Sequence, residues 1–170
     1  MKIRIAKEED IGELHKIDKE YYGSETPLKI LKNWFDTFPE GFLIAEDKGK
    51  IIAYIFVELL DKHKVISFIH DAKNTHIDNG KYMNVSGLGV SDEYKNTDTG
   101  KKLLEAIFKL AKSKKCKQIL FITGESENGH DKYERDLISK ENFIKEKHIE
   151  KWEANPNYFV TDHWMWIKNL

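Results

Sequence analysis

The stretch of this chain that most constrains its fold is residues 82–121. Its pattern predicts a strand, a tight loop, an amphipathic helix and a second strand. The first strand contains Gly87 and Gly89, and glycine inside a strand indicates a bulge or a close approach of another group to the backbone. The loop ends at a helix N-terminus, where free N–H groups and the helix dipole favour an anion, typically a phosphate.

Residues 87–108, GLGVSDEYKNTDTGKKLLEAIF, resemble the coenzyme-A-binding core of the GNAT superfamily of N-acetyltransferases. The family loop follows the pattern Gln/Arg-x-x-Gly-x-Gly/Ala. In this chain a basic residue, Lys95, holds the first position, Asp98 stands at the middle glycine, and Gly100 keeps the last one. The order of elements around the loop is similar to that of the family over nearly the whole chain.

The resemblance implies a site for acetyl-CoA and no metal ion. Backbone groups of Leu88 and Val90 are expected to hold the pantetheine arm, and a strand N–H can stabilise the tetrahedral oxyanion. The pyrophosphate is expected at a loop and helix start made of Lys95, Asn96, Thr97, Asp98, Thr99, Gly100 and Lys101. On the residues alone, the alternative interpretation is an ordinary turn that caps the helix through Thr97 or Thr99.

Composition argues against several kinds of partner. Lysine and arginine total 28 against 29 aspartates and glutamates, so the charge balance gives no reason to expect binding to nucleic acid or to a membrane surface. The histidines and Cys116 show no metal-ligand spacing. A single cysteine and an N-terminus without an apolar run favour a cytoplasmic location. The length of 170 residues predicts one domain, residues 1–170.

Hydrophobic periodicity and turn signals predict the element order βααβββαβαββ. Asp10 is the predicted N-cap of the first helix and Thr26 that of the second. Residues 65–69 are interpreted as a further length of sheet, and the chain is expected to end in two strands, at 143–152 and 159–167. Together with the resemblance, this order implies an α/β (α+β) GNAT-like fold. It has a mixed central sheet of about seven strands and about four helices, splayed between the strands that flank the coenzyme-binding helix.

Acyl transfer to an amine also needs a base, because an alkyl amine has a pKa near 10.4 and arrives protonated. The family often uses a glutamate on the first strand of the core. The matching residue here is Asn84, which cannot act as a base. The remaining candidates, of which Glu125 is the one we predict, are His70, Asp71, Glu125 and His130.

A general acid must supply the proton that the departing thiolate takes up. Many relatives place a tyrosine for this purpose five residues before a Gly-Phe pair, and here Asn142 and Phe143 take the place of that pair. The position five residues before Phe143 is Ile138. Tyr133, a little over one helical turn earlier, is the predicted acid if the helix is shifted along its axis. A partly buried aromatic on a short helix is the alternative interpretation.

The predicted activity is transfer of an acetyl group from acetyl-CoA to a primary amine of a small molecule or peptide by direct attack. Two alternatives stay open. One is a non-catalytic member of the fold that binds CoA or a protein partner, motivated by Asn84, Asp98 and Ile138 at positions where the family often has functional residues. The other is an acyltransferase that uses a longer acyl-CoA. A homodimer is also left open, and the sequence does not identify the acceptor.

Overall fold

The computed structural model describes residues 1–22, 26–66, 70–127, 129–155 and 158–170. The strands in chain order are β1 (Lys2–Ile5), β2 (Phe42–Asp47), β3 (Lys50–Leu60), β4 (Tyr82–Val90), β5 (Gln118–Gly124), β6 (Ile144–Ile149), β7 (Trp152–Asn155), β8 (Tyr158–Val160) and β9 (His163–Asn169). The helices are α1 (Ile11–Tyr22), α2 (Leu28–Thr37), α3 (Ala72–Thr75), α4 (Thr99–Ser113) and α5 (Gly129–Lys140).

Seven of the strands form one mixed sheet in the order β1-β2-β3-β4-β5-β9-β6, and β7 pairs with β8 in a separate hairpin. Within the described residues, β4 and β5 run parallel and the other neighbours run antiparallel. The predicted mixed sheet of seven strands is therefore confirmed. The described residues contain five α-helices instead of about four, because the short α3 is not predicted from the sequence. None of the helices in the described part of the chain has the length and apolar content to cross a membrane.

The two strands β4 and β5 pair over a short length and then separate. Residues 82–84 lie opposite residues 118–120. Further along, β4 stays paired with β3 as far as Val90, and β5 stays paired with β9 as far as Gly124, but the two strands no longer pair with each other. We call the gap between them the cleft. It is the predicted splay, and the chain leaves β4 beside it on the way to α4.

The glycines of β4 mark both features that the sequence indicates. Val57 pairs with Val85 whereas Phe56 pairs with Gly87, so Ser86 is the extra residue of a bulge. Gly89 lies against the ring of Tyr54, which any side chain at that position would strike. The bulge and the close approach are therefore both confirmed.

Aromatic packing holds α1 and α2 against β3. Trp34 of α2 stacks on Phe56 with ring centroids 5.1 Å apart, and its indole N–H donates to the carbonyl of His70. The hydroxyl of Tyr54 donates to the carboxylate of Asp18 on α1. Because β3 is also the partner of β4, these contacts place α1 next to the cleft.

Both predicted helix caps are wrong in detail. Asp10 lies directly before α1, but its carboxylate accepts from the N–H of Lys7 and caps the preceding 3-10 turn instead. The N-cap of α2 is Pro27, and the N–H of Thr26 donates to the buried carboxylate of Asp18. A tertiary acceptor therefore replaces the local cap at Thr26.

The end of the chain also differs from prediction. The described residues form four strands where two are expected, because breaks at residues 150–151 and 161–162 divide the predicted strands. Asp162, in the second break, has a φ of 54° in the left-handed region. Asn142 has a φ of 59° after α5, the left-handed conformation that commonly follows the end of a helix. Residues 65 and 66 lie outside the sheet, and residues 67–69 fall outside the described part of the chain.

Candidate functional site

The backbone N–H of Leu88 faces the cleft. The side chain of Leu88 is fully buried, whereas its amide donates to the hydroxyl of Tyr22 with 3.3 Å between nitrogen and oxygen. Successive N–H groups along a strand point to opposite edges, so those of residues two apart point to the same edge. We therefore expect the N–H of Val90 to face the cleft as well, which is the arrangement that the resemblance requires of these two residues.

Helix α4 begins at Thr99, directly after the predicted anion-binding loop. Asp98 occupies the N-cap position, is exposed, and its side chain makes no capping hydrogen bond. The hydroxyl of Thr97 accepts from the N–H of Thr99 at 3.3 Å. Thr97 therefore satisfies one donor at the helix start, and Asp98 leaves its carboxylate free of any helix-capping role.

The hydroxyl of Tyr133 lies on the first turn of α4. It accepts a hydrogen bond from the N–H of Gly100, and a side chain at Gly100 would collide with it. Burial, with a smaller effect from the carboxyl of Glu134, raises the pKa of Tyr133 to about 12. The predicted acid and the predicted pyrophosphate-binding residues thus meet at one helix N-terminus.

The side chain of Lys95 joins the loop before α4 to α1. The ammonium of Lys95 lies 2.6 Å from the carboxylate of Asp92 and 4.8 Å from the centre of the Tyr21 ring. Asn96 and Lys101 are exposed. One cation of the loop therefore contacts Tyr21 of α1, while Lys101 is exposed to solvent at the helix start.

The buried residues Tyr21 and Glu134 and the half-buried Tyr22 form a group beside Leu88, which we call the Glu134 cluster. Both hydroxyls donate to Oε1 of Glu134 at 3.4 Å, and the two tyrosine rings meet edge to face with centroids 4.9 Å apart. Glu134 is 4% exposed. Burial, reinforced by the negative charge of Asp131, raises the pKa of Glu134 well above its ordinary value, which favours the protonated carboxyl.

His130 and Asp131 border this cluster. The ring of His130 lies 4.9 Å from the ring of Tyr22, and its Nε2 lies 3.2 Å from Asp131. Burial acts to raise the pKa of Asp131, but the hydrogen bond and charge of His130 outweigh it, so the pKa lies below its ordinary value. An ionised Asp131 opposes a second negative charge on Glu134, which follows it on α5.

A second buried carboxyl, Glu58 on β3, lies opposite Asn84, where β4 and β5 separate. Nε2 of His70 lies 2.7 Å from Oε1 of Glu58, and the carboxylate accepts hydrogen bonds from Oγ of Ser86 at 2.7 Å and from Oγ1 of Thr75 at 2.5 Å. We call these four residues, without Asn84, the Glu58 cluster. Burial acts to raise the pKa of Glu58, but His70 and the two hydroxyl donors outweigh it and hold the pKa below its ordinary value.

Asn84 extends the Glu58 cluster towards the cleft. Its Nδ2 donates to Oγ of Ser86 at 2.9 Å. Its Oδ1 is buried and has no hydrogen-bond partner among the described residues. Leaving a buried acceptor unpaired is unfavourable, so this oxygen is suited to accept a hydrogen bond from a bound ligand.

Other predicted residues lie apart from the two clusters. Glu125 is exposed just after β5 and pairs with Lys145 at 2.9 Å, and no described contact joins it to either cluster. Asp71 is exposed and caps α3 through the N–H of Lys73. Ile138 is fully buried in the core. Of the candidate bases, His70 lies beside the carboxylate of Glu58 and His130 beside that of Asp131. The role of Glu125 stays a prediction.

Sequence reasoning missed Tyr22, Glu58 and Glu134. For Glu58 a signal exists, because it is the one charged residue within the apolar run at 51–60, and a charge inside such a strand is buried only when it is paired. Tyr22 and Glu134 carry no comparable signal. They lie on separate helices, and their contact arises only in the folded chain.

Comparisons with known proteins identify a matching family and similar folds. A family model described as the acetyltransferase (GNAT) family matches residues 9–137. Similar solved structures include the GNAT-like decarboxylase GphF in complex with isobutyryl-CoA, with a TM-score of 0.83, 13% identity and 99% of each chain covered. The loading GNATL domain of CurA from Lyngbya majuscula has a TM-score of 0.82 and 13% identity, covering 99% of this chain and 96% of that one.

A third similar structure is the ribosomal-protein-S18-alanine N-acetyltransferase from Escherichia coli. Its TM-score is 0.71 at 10% identity, and the match covers 99% of this chain and 92% of that one. A search of curated protein sequences finds no match. At identities this low the structural likeness shows a shared fold.

Proposed function

This chain belongs to the acetyltransferase (GNAT) family, and we propose that it transfers an acetyl group from acetyl-CoA to a primary amine of a small molecule or peptide. The observation that carries the proposal is the N–H of Leu88, which faces the cleft between β4 and β5 instead of joining the sheet. It is followed along the chain by a loop that ends at the N-terminus of α4. These are the two anchors that an acyl-CoA needs.

In the proposed complex the pantetheine arm lies in the cleft against the backbone of Leu88 and Val90. The pyrophosphate binds at the start of α4, where the N–H groups of the first helical turn and the helix dipole favour an anion. Lys95 and Lys101 add positive charge nearby. A phosphate oxygen at Gly100 would take the hydrogen bond that Tyr133 now accepts.

The reaction proceeds by direct attack of the neutral amine, which forms when the base removes the proton with which the amine arrives. The amine nitrogen forms a bond to the thioester carbon, and the carbonyl oxygen takes up negative charge that the N–H of Leu88 stabilises. The C–S bond then breaks with its electron pair on sulfur, the nitrogen loses one proton, and the thiolate of CoA gains one. Glu125, beside the end of β5, remains the proposed base and Tyr133 the proposed acid.

Binding and turnover together test the proposal. Calorimetry with CoA, acetyl-CoA and isobutyryl-CoA measures affinity, and amide chemical shifts locate the ligand. Shifts at Leu88, Gly100 and Lys101 support the site, with the exposed Gly12 of α1 as a remote reference. No binding, or shifts confined to other parts of the chain, would contradict it.

Release of the free thiol is then measured with a panel of primary amines and peptides. Faster release of thiol from acetyl-CoA in the presence of one of these amines is the expected result. Binding without release for any amine would favour the non-catalytic alternative. Tighter binding and faster turnover of isobutyryl-CoA would favour the longer acyl donor.

A further inference from the structure

We propose that the hydroxyl of Tyr22 is a second hydrogen-bond donor to the acyl carbonyl oxygen, beside the N–H of Leu88, and that Glu134 supports it in this role. The inference rests on the proposed function, since it concerns the acyl end of a bound acyl-CoA. It adds Tyr22 and Glu134, from two separate helices, to a site that the sequence assigns to the backbone of β4 and to Tyr133.

The geometry places Tyr22 at the position that the carbonyl oxygen must occupy. The hydroxyl oxygen of Tyr22 lies 3.3 Å from the nitrogen of Leu88 and 3.4 Å from Oε1 of Glu134. A carbonyl oxygen that accepts a hydrogen bond from the N–H of Leu88 takes the place of the Tyr22 hydroxyl oxygen as the acceptor. The displaced hydroxyl then lies directly beside the new oxygen, within reach of a hydrogen bond.

The hydroxyl has one proton, and in the ligand-free chain this proton is directed at Glu134. An ionised Glu134 would keep accepting this proton. Tyr22 can donate the proton to a carbonyl oxygen only when Glu134 is protonated. Burial raises the pKa of Glu134, with Asp131 acting in the same direction, and this favours the carboxyl that keeps its own proton. Glu134 can then donate to the oxygen of Tyr22, and Tyr22 can donate onward to the carbonyl.

The second oxygen of Glu134 supports this direction of donation. Both tyrosines contact Oε1, and within the described part of the chain Oε2 makes no hydrogen bond. A buried carboxylic acid with an unused oxygen is able to turn its O–H towards a partner. The titratable groups that face Glu134 are Tyr21 and Tyr22 on α1, Tyr54 on β3, and Asp131, Tyr133 and Arg135 on α5.

The test compares two ligands that differ at the carbonyl. Acetyl-CoA has the oxygen, whereas S-ethyl-CoA has the same carbon skeleton without it. The ratio of their dissociation constants, measured by calorimetry, therefore reports the hydrogen bonds made to that oxygen. In Tyr22→Phe we expect this preference for acetyl-CoA to fall by about threefold to tenfold, the effect of one hydrogen bond.

Tyr21→Phe is the matched control. Tyr21 is adjacent in sequence and donates to the same oxygen of Glu134 at the same 3.4 Å, and only Tyr22 has a hydrogen bond to Leu88 in the described structure. The preference for acetyl-CoA should stay within about twofold of wild type in this variant. Equal losses in the two variants would show that both tyrosines act through packing, and this would overturn the proposal.

Two further outcomes separate the inference from the proposed function. If Tyr22→Phe tightens both ligands equally, Tyr22 merely fills the cleft and the inference is wrong, while the proposed function stands. If wild type binds neither ligand, both the proposed function and the inference are wrong. A measurement without any substitution guards against misfolding. The ¹³Cζ shift of Tyr22 should change with acetyl-CoA and not with S-ethyl-CoA, and identical shifts would overturn the proposal.

Discussion

Glu58 and Glu134 are the same residue type and are almost equally buried, at 0% and 4% exposure, yet their pKa values move in opposite directions. Burial acts to raise the pKa of each carboxyl. In Glu58, three polar partners at 2.5 to 2.7 Å, one of them the imidazole of His70, outweigh the effect of burial and lower the pKa. Glu134 has two tyrosine donors at 3.4 Å and the like charge of Asp131 nearby. The donors, and not the depth of burial, decide which carboxyl is charged.

This difference has a functional meaning beside the cleft. Carboxyls whose environments separate their pKa values are suited to opposite tasks, an ionised one to accept and a protonated one to donate. Glu58 lies opposite Asn84, where β4 and β5 separate, and Glu134 lies beside Leu88 further along the cleft. The chain therefore holds a carboxyl with a lowered pKa near one end of the proposed acyl site and a carboxyl with a raised pKa near the other.

The largest effect is expected from Glu58→Gln. Replacing the carboxylate breaks its pairing with His70 and one or more of the hydroxyl bonds, so the free energy of unfolding should fall by about 3 kcal/mol at neutral pH. Denaturant unfolding measures it. Because the pKa of Glu58 is lower in the folded chain, its contribution is present above the ordinary value of 4.5 and is lost as the pH falls through the folded value.

Glu125→Gln is the control for that experiment. Glu125 also pairs with a cation, Lys145, but both side chains are about two-fifths exposed, at 38% and 40%. Exposed pairs contribute little, so the change in unfolding free energy should stay below about 1 kcal/mol. A loss in Glu58→Gln no larger than that of the control would mean that the Glu58 cluster does not hold a charged carboxyl.

The second effect concerns the source of the proton for the thiolate. If Tyr133 is the acid, Tyr133→Phe should lower turnover with acetyl-CoA by about 10²-fold. Tyr82→Phe serves as a control, because the ring of Tyr82 packs against His63 outside the Glu134 cluster. Unchanged turnover in Tyr133→Phe would remove it as the acid and leave the Glu134 cluster as the nearest source of a proton.

Glu134→Gln should change stability in the direction opposite to Glu58→Gln. Glu134 has a raised pKa in the folded chain, so the folded state binds the proton that the unfolded state loses above the ordinary value of 4.5. Wild type therefore loses stability as the pH rises through this window, by about 1.4 kcal/mol per pH unit up to the folded pKa. The uncharged glutamine removes this slope.

Denaturant unfolding of wild type and Glu134→Gln at a series of pH values measures how their stability difference changes with pH. The stability of Glu134→Gln relative to wild type should increase as the pH rises from 4.5. A relative stability that stays constant or decreases over this range would show that Glu134 is ionised, and the contrast with Glu58 would then disappear.

The cleft could be predicted from sequence because its determinants are local. Gly87 and Gly89 mark the strand, the polar loop follows directly, and the apolar face of α4 completes the unit within residues 82–121. The resemblance to the family then assigns the backbone of Leu88 and Val90 to binding of the pantetheine arm. Each of these signals lies within a few residues of the feature that it predicts.

The clusters beside the cleft could not be predicted in the same way. Tyr22 is separated by 66 residues from Leu88 and by 112 from Glu134, so no spacing rule connects them. Tyr133 was identified by residue type, but its position on Gly100 depends on how α5 packs against the start of α4. Thr26 shows the same limit, since its tertiary bond to Asp18 replaces the local cap that the sequence favours.

The smallest effect is expected at Asp98, a carboxylate that is neither buried nor paired through a helix cap. It stands where the family loop has a glycine, beside the proposed pyrophosphate site. At about 7 Å and an effective dielectric constant between 20 and 80, one carboxylate repels one phosphate charge by roughly 0.6 to 2.4 kcal/mol. Its φ of −74° needs no glycine, and replacing an N-cap aspartate by glycine costs only a few tenths of a kcal/mol.

We therefore expect Asp98→Gly to tighten CoA binding by about threefold to tenfold at low salt, and by less at high salt because ions screen an exposed charge. Asp98→Asn is the matched control, since it removes the charge and keeps the shape of the side chain. It should tighten binding in the same direction if repulsion is the cause. Weaker binding of CoA by both variants in calorimetry would mean that the carboxylate organises the loop, so that a charge outside the two buried clusters also supports the site.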